Sequence, residues 1–231
     1  MEIVVWAGCI GFVVVMTIVL TVRAKRRLER VTAWAASTGW QLRPEADELT
    51  SRWGGSPFGV GRRRRAREVL TGTWQGHAAT SFQYSYETSD GKNTTTHTFH
   101  VMALGLPAVL PALEFTPEGF GSRLASALGG QDIDFESAEF NRAWRVRSPF
   151  PRFASDVVHP RLMELLLRPG AQVNLRIEGS DILTWGSGSQ RLEAIAGRLG
   201  LLDSVVATIP RFVWQNQGYD PMTPSSPEGE K

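Results

Sequence analysis

The chain opens with the apolar stretch IVVWAGCIGFVVVMTIVLTV, residues 3–22. No charged residue interrupts it, and at ~1.5 Å rise per residue a helix of this length spans roughly the ~30 Å of a bilayer's hydrocarbon core. We therefore predict a transmembrane helix over residues 1–22, and the rest of the chain is organised around this anchor. Basic residues follow at once: Arg23, Lys25, Arg26 and Arg27.

Three other interpretations of the apolar stretch fit the residues less well. A cleaved secretory signal carries basic residues before its apolar core, whereas only Met1 and Glu2 precede this one. Lipidation at Cys9 would need a longer apolar segment before the cysteine. A buried helix of a soluble domain rarely continues this far without a polar stripe.

The charges beside the stretch predict its orientation. Residues 23–30 are strongly basic, with Glu29 as their one acid, and lysines and arginines close to a span stay in the cytoplasm. We therefore expect a single-pass protein of the cell membrane, with its N-terminus outside and its C-terminal domain cytoplasmic. Helical spacing of apolar residues continues to Gly39, which predicts a basic juxtamembrane neck over residues 23–39.

Composition limits what the remainder can be. Residues 40–214 are long enough for one α+β domain with its own core, and the Pro/Ser/Gly-rich residues 215–231 read as a disordered tail. The single cysteine lies in the apolar stretch, so no disulfide framework is expected. A net charge of only +2 makes nucleic acid an unlikely partner.

Alternating side chains predict a largely antiparallel sheet with packed helices. Phe82, Tyr84 and Tyr86 share one face of a strand over residues 78–87, as a half-buried strand requires. Further strands are predicted at residues 69–74, 94–104, 112–116, 132–136 and 140–146, with a hairpin over residues 173–185. Residues 41–64 read as irregular. Helices are predicted at residues 121–128, at 153–167 with an irregularity at Pro160, and after a Ser187–Gln190 capping box.

One stretch of this domain resembles a known family. The run EFNRAWRV at residues 139–146, with Arg152-Phe153-Ala154, Pro160-Arg161-Leu162-Met163 and Ile177-Glu178-Gly179, is similar to a family of bacterial membrane-anchored proteins of unknown function. The resemblance covers residues 40–214. It implies a membrane-tethered α+β domain and says nothing about catalytic activity, because most of the shared positions are packing positions.

Metal and phosphate chemistry have few candidate residues. His97 and His100 should point to opposite faces of their strand, so they are not expected to share an ion. Residues Asp132, Asp134 and Glu136 would line one strand face, which suits either a hard cation or, more simply, solvent. The glycines and serines at residues 186–189 either surround a phosphate or begin a helix.

Eight basic residues form the candidate binding surface. They are expected to contact anionic lipid headgroups at the inner face of the membrane, at ~1 kcal/mol per residue. For the four arginines at residues 62–65, a solvated loop and nucleic-acid binding are the alternatives. The absence of interleaved aromatic residues disfavours nucleic-acid binding. The eight are Arg23, Lys25, Arg26 and Arg27 in the neck, and Arg62, Arg63, Arg64 and Arg65 in the domain.

Two functions remain open on the sequence alone. The favoured one is a protein- or lipid-binding or scaffold module at the inner membrane face, with an unidentified protein partner and no cofactor. The alternative is a membrane-tethered hydrolase or transferase whose site the fold assembles, with Asp132, Asp134, Glu136 and His159 as its candidate residues. There is no Gly-x-Ser-x-Gly motif and no cysteine in the domain, so nucleophilic catalysis has no support.

Overall fold

A six-stranded sheet, antiparallel throughout, forms the centre of the computed structural model, which describes residues 2–119 and 132–223, with side chains from residue 15 onward. The strands are β1 Gln41–Glu45, β2 Arg62–Trp74, β3 His77–Ser89, β4 Thr94–Pro117, β5 Trp144–Arg147 and β6 Asn174–Ser187. The helices are α1 Glu2–Thr38, α2 Ala138–Ala143, α3 Pro151–Val157, α4 Pro160–Leu167, α5 Ile195–Thr208 and α6 Arg211–Gln215. The predicted α+β class, with an antiparallel sheet and packed helices, is confirmed.

The first helix is continuous over 37 residues and ends at Gly39, whose φ of 72° is easily adopted only by glycine. Residues 3–14 of the predicted span lie outside the residues whose side chains are described. Within the described part of the chain, no helix has both the length and the apolarity that crossing a membrane requires.

The sheet is built around β4, which is 24 residues long. Its first half pairs with β3, its last residues pair with β5 on the same edge, and β6 pairs along the opposite edge. The predicted strand at residues 112–116 is therefore the end of β4. The predicted hairpin at residues 173–185 is wrong, because this segment is the single strand β6. Gly179, with a φ of 62°, bends β6 beside a register irregularity in β4, and the two strands stay paired across the bend.

Alternation along the strands separates two cores on opposite faces of the sheet. The helical face carries Met102, Leu104 and Ile182 against α1 and the C-terminal helices. The loop face carries Phe82, Tyr84 and Trp185, which are covered by Trp53 and Phe58 from the connection between β1 and β2. This connection contains a 3-10 turn at Asp47–Ser51, so residues 41–64 are more ordered than the sequence predicts.

Helix starts account for three further differences. Ser137 Oγ accepts a hydrogen bond from the N–H of Phe140 and begins α2 within a stretch predicted as strand, so that β5 starts only at Trp144. Pro160 divides the predicted helix at residues 153–167 into α3 and α4. Ser187 belongs to β6 and α5 begins at Ile195, so the predicted capping box does not form.

Two predicted segments are only partly described. The predicted helix at residues 121–128 lies outside the described residues. The tail predicted from residue 215 is described as far as residue 223, and there Arg211 pairs with Asp220 while Tyr219 packs edge-on against Trp214. This pair lowers the pKa of Asp220 well below its usual range, chiefly through the hydrogen bonds from Arg211.

Candidate functional site

The neck carries its arginines along one side of α1. Arg23, Arg26, Arg27 and Arg30 follow the helical spacing that places residues on one face, and with Glu29 and Ala33 they line an open groove of about 660 Å³. Among the described residues, the guanidinium groups of Arg23, Arg26 and Arg30 have no carboxylate partner. This face of the neck is therefore positively charged and open to an anion.

An apolar surface lies directly before this groove. The side chains at residues 15–22 that are large and apolar are all exposed on α1, with Val15 at 59% and Leu20 at 53%. Arg23 follows Val22 without an intervening residue. One helix thus presents an exposed apolar surface that changes abruptly to a basic one.

Arg27 differs from the other neck arginines. Its Nε and Nη2 donate to the Glu68 carboxylate of β2 at 2.7–2.8 Å, and Nη2 also donates to Gln83 Oε1 of β3 at 3.2 Å. The hydrogen bonds that Arg27 donates to Glu68 raise the pKa of Arg27 further above its ordinary value. This guanidinium is committed to the sheet, so its role is to fix the neck on the domain.

The second basic group begins β2 and is not a loop. Arg62, Arg63, Arg64 and Arg65 are all exposed, and β1 pairs with β2 only from Arg67 onward. Arg63 pairs with Glu87 at 3.2 Å, and Arg64 donates to the carbonyl oxygen of Phe58 at 3.1 Å. Arg62 and Arg65 have no carboxylate partner among the described residues, and they are the members of this group available to a ligand.

Both basic groups lie toward the same end of the domain. The ring of Trp40, just after α1, lies so close to Gly72 of β2 that a Cβ there would be 2.6 Å from it. Thirteen residues earlier, Arg27 is bonded to Glu68. Going from Trp40 back to Arg27, α1 therefore follows β2 from Gly72 toward its beginning. The start of β2, with Arg62 and Arg65, lies in the direction in which α1 continues toward residue 15.

The acidic candidates are only partly brought together. Residues Asp134, Glu136 and His159 line an open groove of about 900 Å³ with an apolar floor. Asp132 pairs instead with Arg147 and lies 3.8 Å from Arg145. Residues 132–136 do not form the predicted strand, although their exposure alternates as predicted.

The side chains of this acidic groove are not arranged as a catalytic or metal centre. His159 Nε2 lies 2.8 Å from the carbonyl oxygen of Thr208, so this nitrogen carries the proton and donates it to the backbone. Within residues 15–119 and 132–223, no three potential metal-ligating side chains are close enough to hold an ion. Carboxylates and a histidine therefore line the same groove, but the hydrogen bond of His159 to the backbone has a structural role.

A buried serine and histidine form a pair that the sequence did not reveal. Ser81 Oγ lies 2.9 Å from His100 Nε2, and Gln190 Nε2 donates to the same oxygen at 3.0 Å. The N–H of Arg191 points at His100 Nδ1, 3.4 Å away, so the ring proton lies on Nε2 and His100 donates to Ser81. His100 is therefore oriented as a donor and not as a base for this hydroxyl.

Burial sets the charge of His100. Desolvation lowers the pKa of His100 to about 4, and the positive charges of Arg191, Arg198 and Arg27 act in the same direction. The imidazole is consequently neutral near pH 7. His97, its sequence neighbour, points to the opposite face and contacts Tyr86, as the alternation predicts.

Two buried carboxylates on the loop face, Glu114 and Asp181, each meet their hydrogen-bond donors only through folding. Arg176 is fully buried and donates to Glu114 Oε2 from Nε and Nη2, at 2.8 and 2.6 Å. Asp181 accepts hydrogen bonds from Arg52 and from Trp53 Nε1. These contacts fasten the connection between β1 and β2 to the sheet, which is a structural role.

Comparison with known proteins gives a likeness of fold. No family model matches the chain, and no curated protein matches it either. The fold is similar to the crystal structure of the mycobacterial trehalose monomycolate transport factor A, TtfA, with a TM-score of 0.55 and 16% sequence identity over 79% of this chain and 95% of that one. At this identity the similarity shows that the two chains share a fold.

Proposed function

We propose that this chain is a membrane-anchored binding module, held at the inner face of the cell membrane by α1, whose basic residues contact anionic lipid headgroups. The observation that carries the proposal is the boundary on α1, where an exposed apolar surface ends at residue 22 and the arginine groove begins at residue 23. A span would need residues 3–14 together with residues 15–22, since about twenty apolar residues are required.

The free arginines orient the domain at the membrane surface. Each contributes about 1 kcal/mol near an anionic leaflet, so Arg23, Arg26 and Arg30 with Arg62 and Arg65 add a few kcal/mol to anchoring by the helix. Because both groups lie toward the end of the domain from which α1 leaves, they face the headgroups together. The positive flank also favours a cytoplasmic domain and an external N-terminus.

The structural neighbour is compatible with this proposal. TtfA is named as a transport factor for trehalose monomycolate. A role at the membrane is consistent with the shared fold. At 16% identity, neither the cargo of TtfA nor any of its binding residues can be assigned to this chain.

Membrane anchoring is tested with the full chain in cells. We expect the protein to remain in the membrane fraction after alkaline extraction, which removes peripheral proteins, and a reporter fused after Lys231 to be active in the cytoplasm. Release at alkaline pH, or reporter activity on the outer side, would overturn the anchor or its orientation respectively.

Headgroup contact is tested on the full chain in nanodiscs that contain a photoactivatable anionic lipid. The variant R23Q/R26Q/R30Q should give several-fold less cross-linking than wild type. The matched control R142Q/R152Q/R161Q removes the same charge from exposed positions on α2, α3 and α4. Equal losses in both variants would mean that net charge, and not the neck groove, governs the contact.

A further inference from the structure

A small cavity lies on the helical face where β6 ends and the chain turns toward α5. Its volume is about 60 Å³. The glycine–serine run at residues 186–189 passes along it, and Gly188 adopts a φ of 109° that favours glycine. The polar side chains that line the cavity are His100, Thr184, Ser187, Ser189, Arg191 and Arg198.

Two of these side chains, Arg191 and Arg198, are positively charged and line the same cavity. Among the described residues neither Arg191 nor Arg198 has a carboxylate partner, and Arg198 Nη1 donates to the carbonyl oxygen of Gly170 at 3.2 Å. Burial lowers the pKa of Arg198, and the charge of Arg191 lowers it further. Two like charges beside one cavity repel each other unless an anion lies between them.

The remaining lining groups can donate hydrogen bonds to such an anion. Thr184, Ser187 and Ser189 line the cavity, and each carries a hydroxyl group that can donate one proton. No carboxylate lines the cavity, so no acidic group would repel the ligand. The set combines two guanidinium groups with hydroxyl donors, which is the chemistry that binds phosphate.

We propose that this cavity binds a single phosphate group as a dianionic phosphomonoester, with Arg191 and Arg198 neutralising its charge. The cavity volume of about 60 Å³ limits the ligand, because this space holds a few waters or one tetrahedral oxyanion and not a nucleotide. The rest of a larger ligand would extend past Arg191, whose side chain is exposed.

The phosphate has two possible sources, free in solution or on a lipid headgroup. The cavity lies beside the neck, since Arg27 Nη2 donates to the carbonyl oxygen of Gln190 at 3.4 Å and Arg191 follows. Five residues of α1, or about 7.5 Å, separate Arg27 from the end of the predicted span. The lipid source rests on the proposed membrane function, whereas binding of free phosphate does not.

Calorimetry on the full chain separates the two sources. Inorganic phosphate is titrated into the protein in a neutral detergent. In parallel, the protein is reconstituted into nanodiscs that contain either phosphatidic acid, a phosphomonoester lipid, or phosphatidylserine, a phosphodiester. Binding of inorganic phosphate supports a soluble ligand, and preference for phosphatidic acid over phosphatidylserine supports a headgroup. If inorganic phosphate does not bind and phosphatidic acid is not preferred over phosphatidylserine, the proposal is overturned, while the membrane anchor is untouched.

The variants R191Q and R198Q show whether the cavity is responsible. Each should weaken phosphomonoester binding by about tenfold or more, since each removes a charge-assisted hydrogen bond. R191Q changes an exposed side chain, so it remains informative if R198Q does not fold, and R142Q on α2 is the control for net charge. Unchanged binding in R191Q would assign the phosphate to another surface.

Discussion

The guanidinium of Arg27 and the carboxylate of Glu68 form a three-hydrogen-bond pair that joins α1 to the second strand of the sheet. The pair is largely shielded, with side-chain exposures of 29% and 21%, and Gln83 accepts a further bond from Arg27. Because Arg27 lies only a few residues beyond the predicted span, this contact determines how the domain is held relative to the helix.

Loss of this pair should loosen the neck. For R27Q we expect a loss of about 1–2 kcal/mol in the free energy of unfolding, between the values for exposed ion pairs and for hydrogen bonds to charged groups. Hydrogen exchange over residues 28–38 should accelerate. R26Q, an exposed arginine one residue away, is the control, and R27Q/E68Q should be little worse than R27Q alone. Additive effects in the double variant would show that the two residues are not coupled.

The sequence predicted local patterns of burial but not the pairing of residues that are far apart in the chain. The alternation of Phe82, Tyr84 and Tyr86 correctly predicted a strand with one buried face, because burial acts on every second residue. The pairing of Arg176 with Glu114 joins residues 62 positions apart, and no local periodicity encodes it. Gly179 looked like a turn because glycine and serine favour turns, whereas β6 only bends there and stays paired with β4 on both sides of the bend.

The same contrast between local and long-range features holds for the candidate site. The basic neck was evident from composition, but the commitment of Arg27 to Glu68 depends on how α1 packs on the sheet. The two arginines at the cavity formed no recognisable motif, because Arg191 lies in the connection after β6 and Arg198 lies on α5. The glycine–serine run at residues 186–189 was the one local signal for this cavity.

The buried pair of Arg176 and Glu114 gives the clearest stability prediction. R176M leaves the Glu114 carboxylate buried without its partner, and it removes the donors that Arg176 gives to the carbonyl oxygens of Gly54 and Ser56. We expect a loss of about 3–5 kcal/mol in urea unfolding. The double variant R176M/E114L should recover part of it, since no unpaired charge remains.

Proteolysis distinguishes this local effect from general destabilisation. The Arg52 side chain is already exposed, but release of the connection between β1 and β2 should let the backbone around it open, so trypsin should cut there faster in R176M than in wild type. R152A, at an exposed position on α3, is the control. If R176M unfolds at wild-type urea concentrations, the pair is not the fastening of the loop face.

His100 predicts a pH dependence of stability. Its pKa is about 4 in the folded chain and 6.5 in the unfolded one, so the unfolded state binds a proton first as the pH falls. The stability is unaffected above pH 6.5 and decreases between pH 6.5 and pH 4, by about 3 kcal/mol in all. The free energy of unfolding, measured at several pH values, should fall less steeply for H100Q than for wild type. Parallel pH profiles would mean that His100 takes up its proton normally.

Asn141 explains why residues 132–136 are held in place without a strand partner of their own. Its side-chain amide makes the two hydrogen bonds that the backbone of a neighbouring strand would make. Oδ1 accepts from the N–H of Phe135 at 3.0 Å, and Nδ2 donates to the carbonyl oxygen of Phe135 at 2.7 Å. Ile133 adds a backbone bond to Val146. The Phe-Asn pair within the EFNRAWRV run thus has a structural purpose, with Phe140 buried and Asn141 bonded.

Replacing Asn141 by Asp removes the donor and sets a negative charge against the Phe135 carbonyl oxygen. We expect N141D to lose about 1–3 kcal/mol of stability, the cost of an unsatisfied buried hydrogen-bonding group, and to speed hydrogen exchange over residues 132–136. E139Q, on the exposed side of α2, should leave both quantities unchanged. Because the acidic groove is lined by Asp134 and Glu136, the same variant should also disorder that groove. Wild-type protection over residues 132–136 in N141D would show that packing of Phe135 against Phe140, and not the amide, holds the segment.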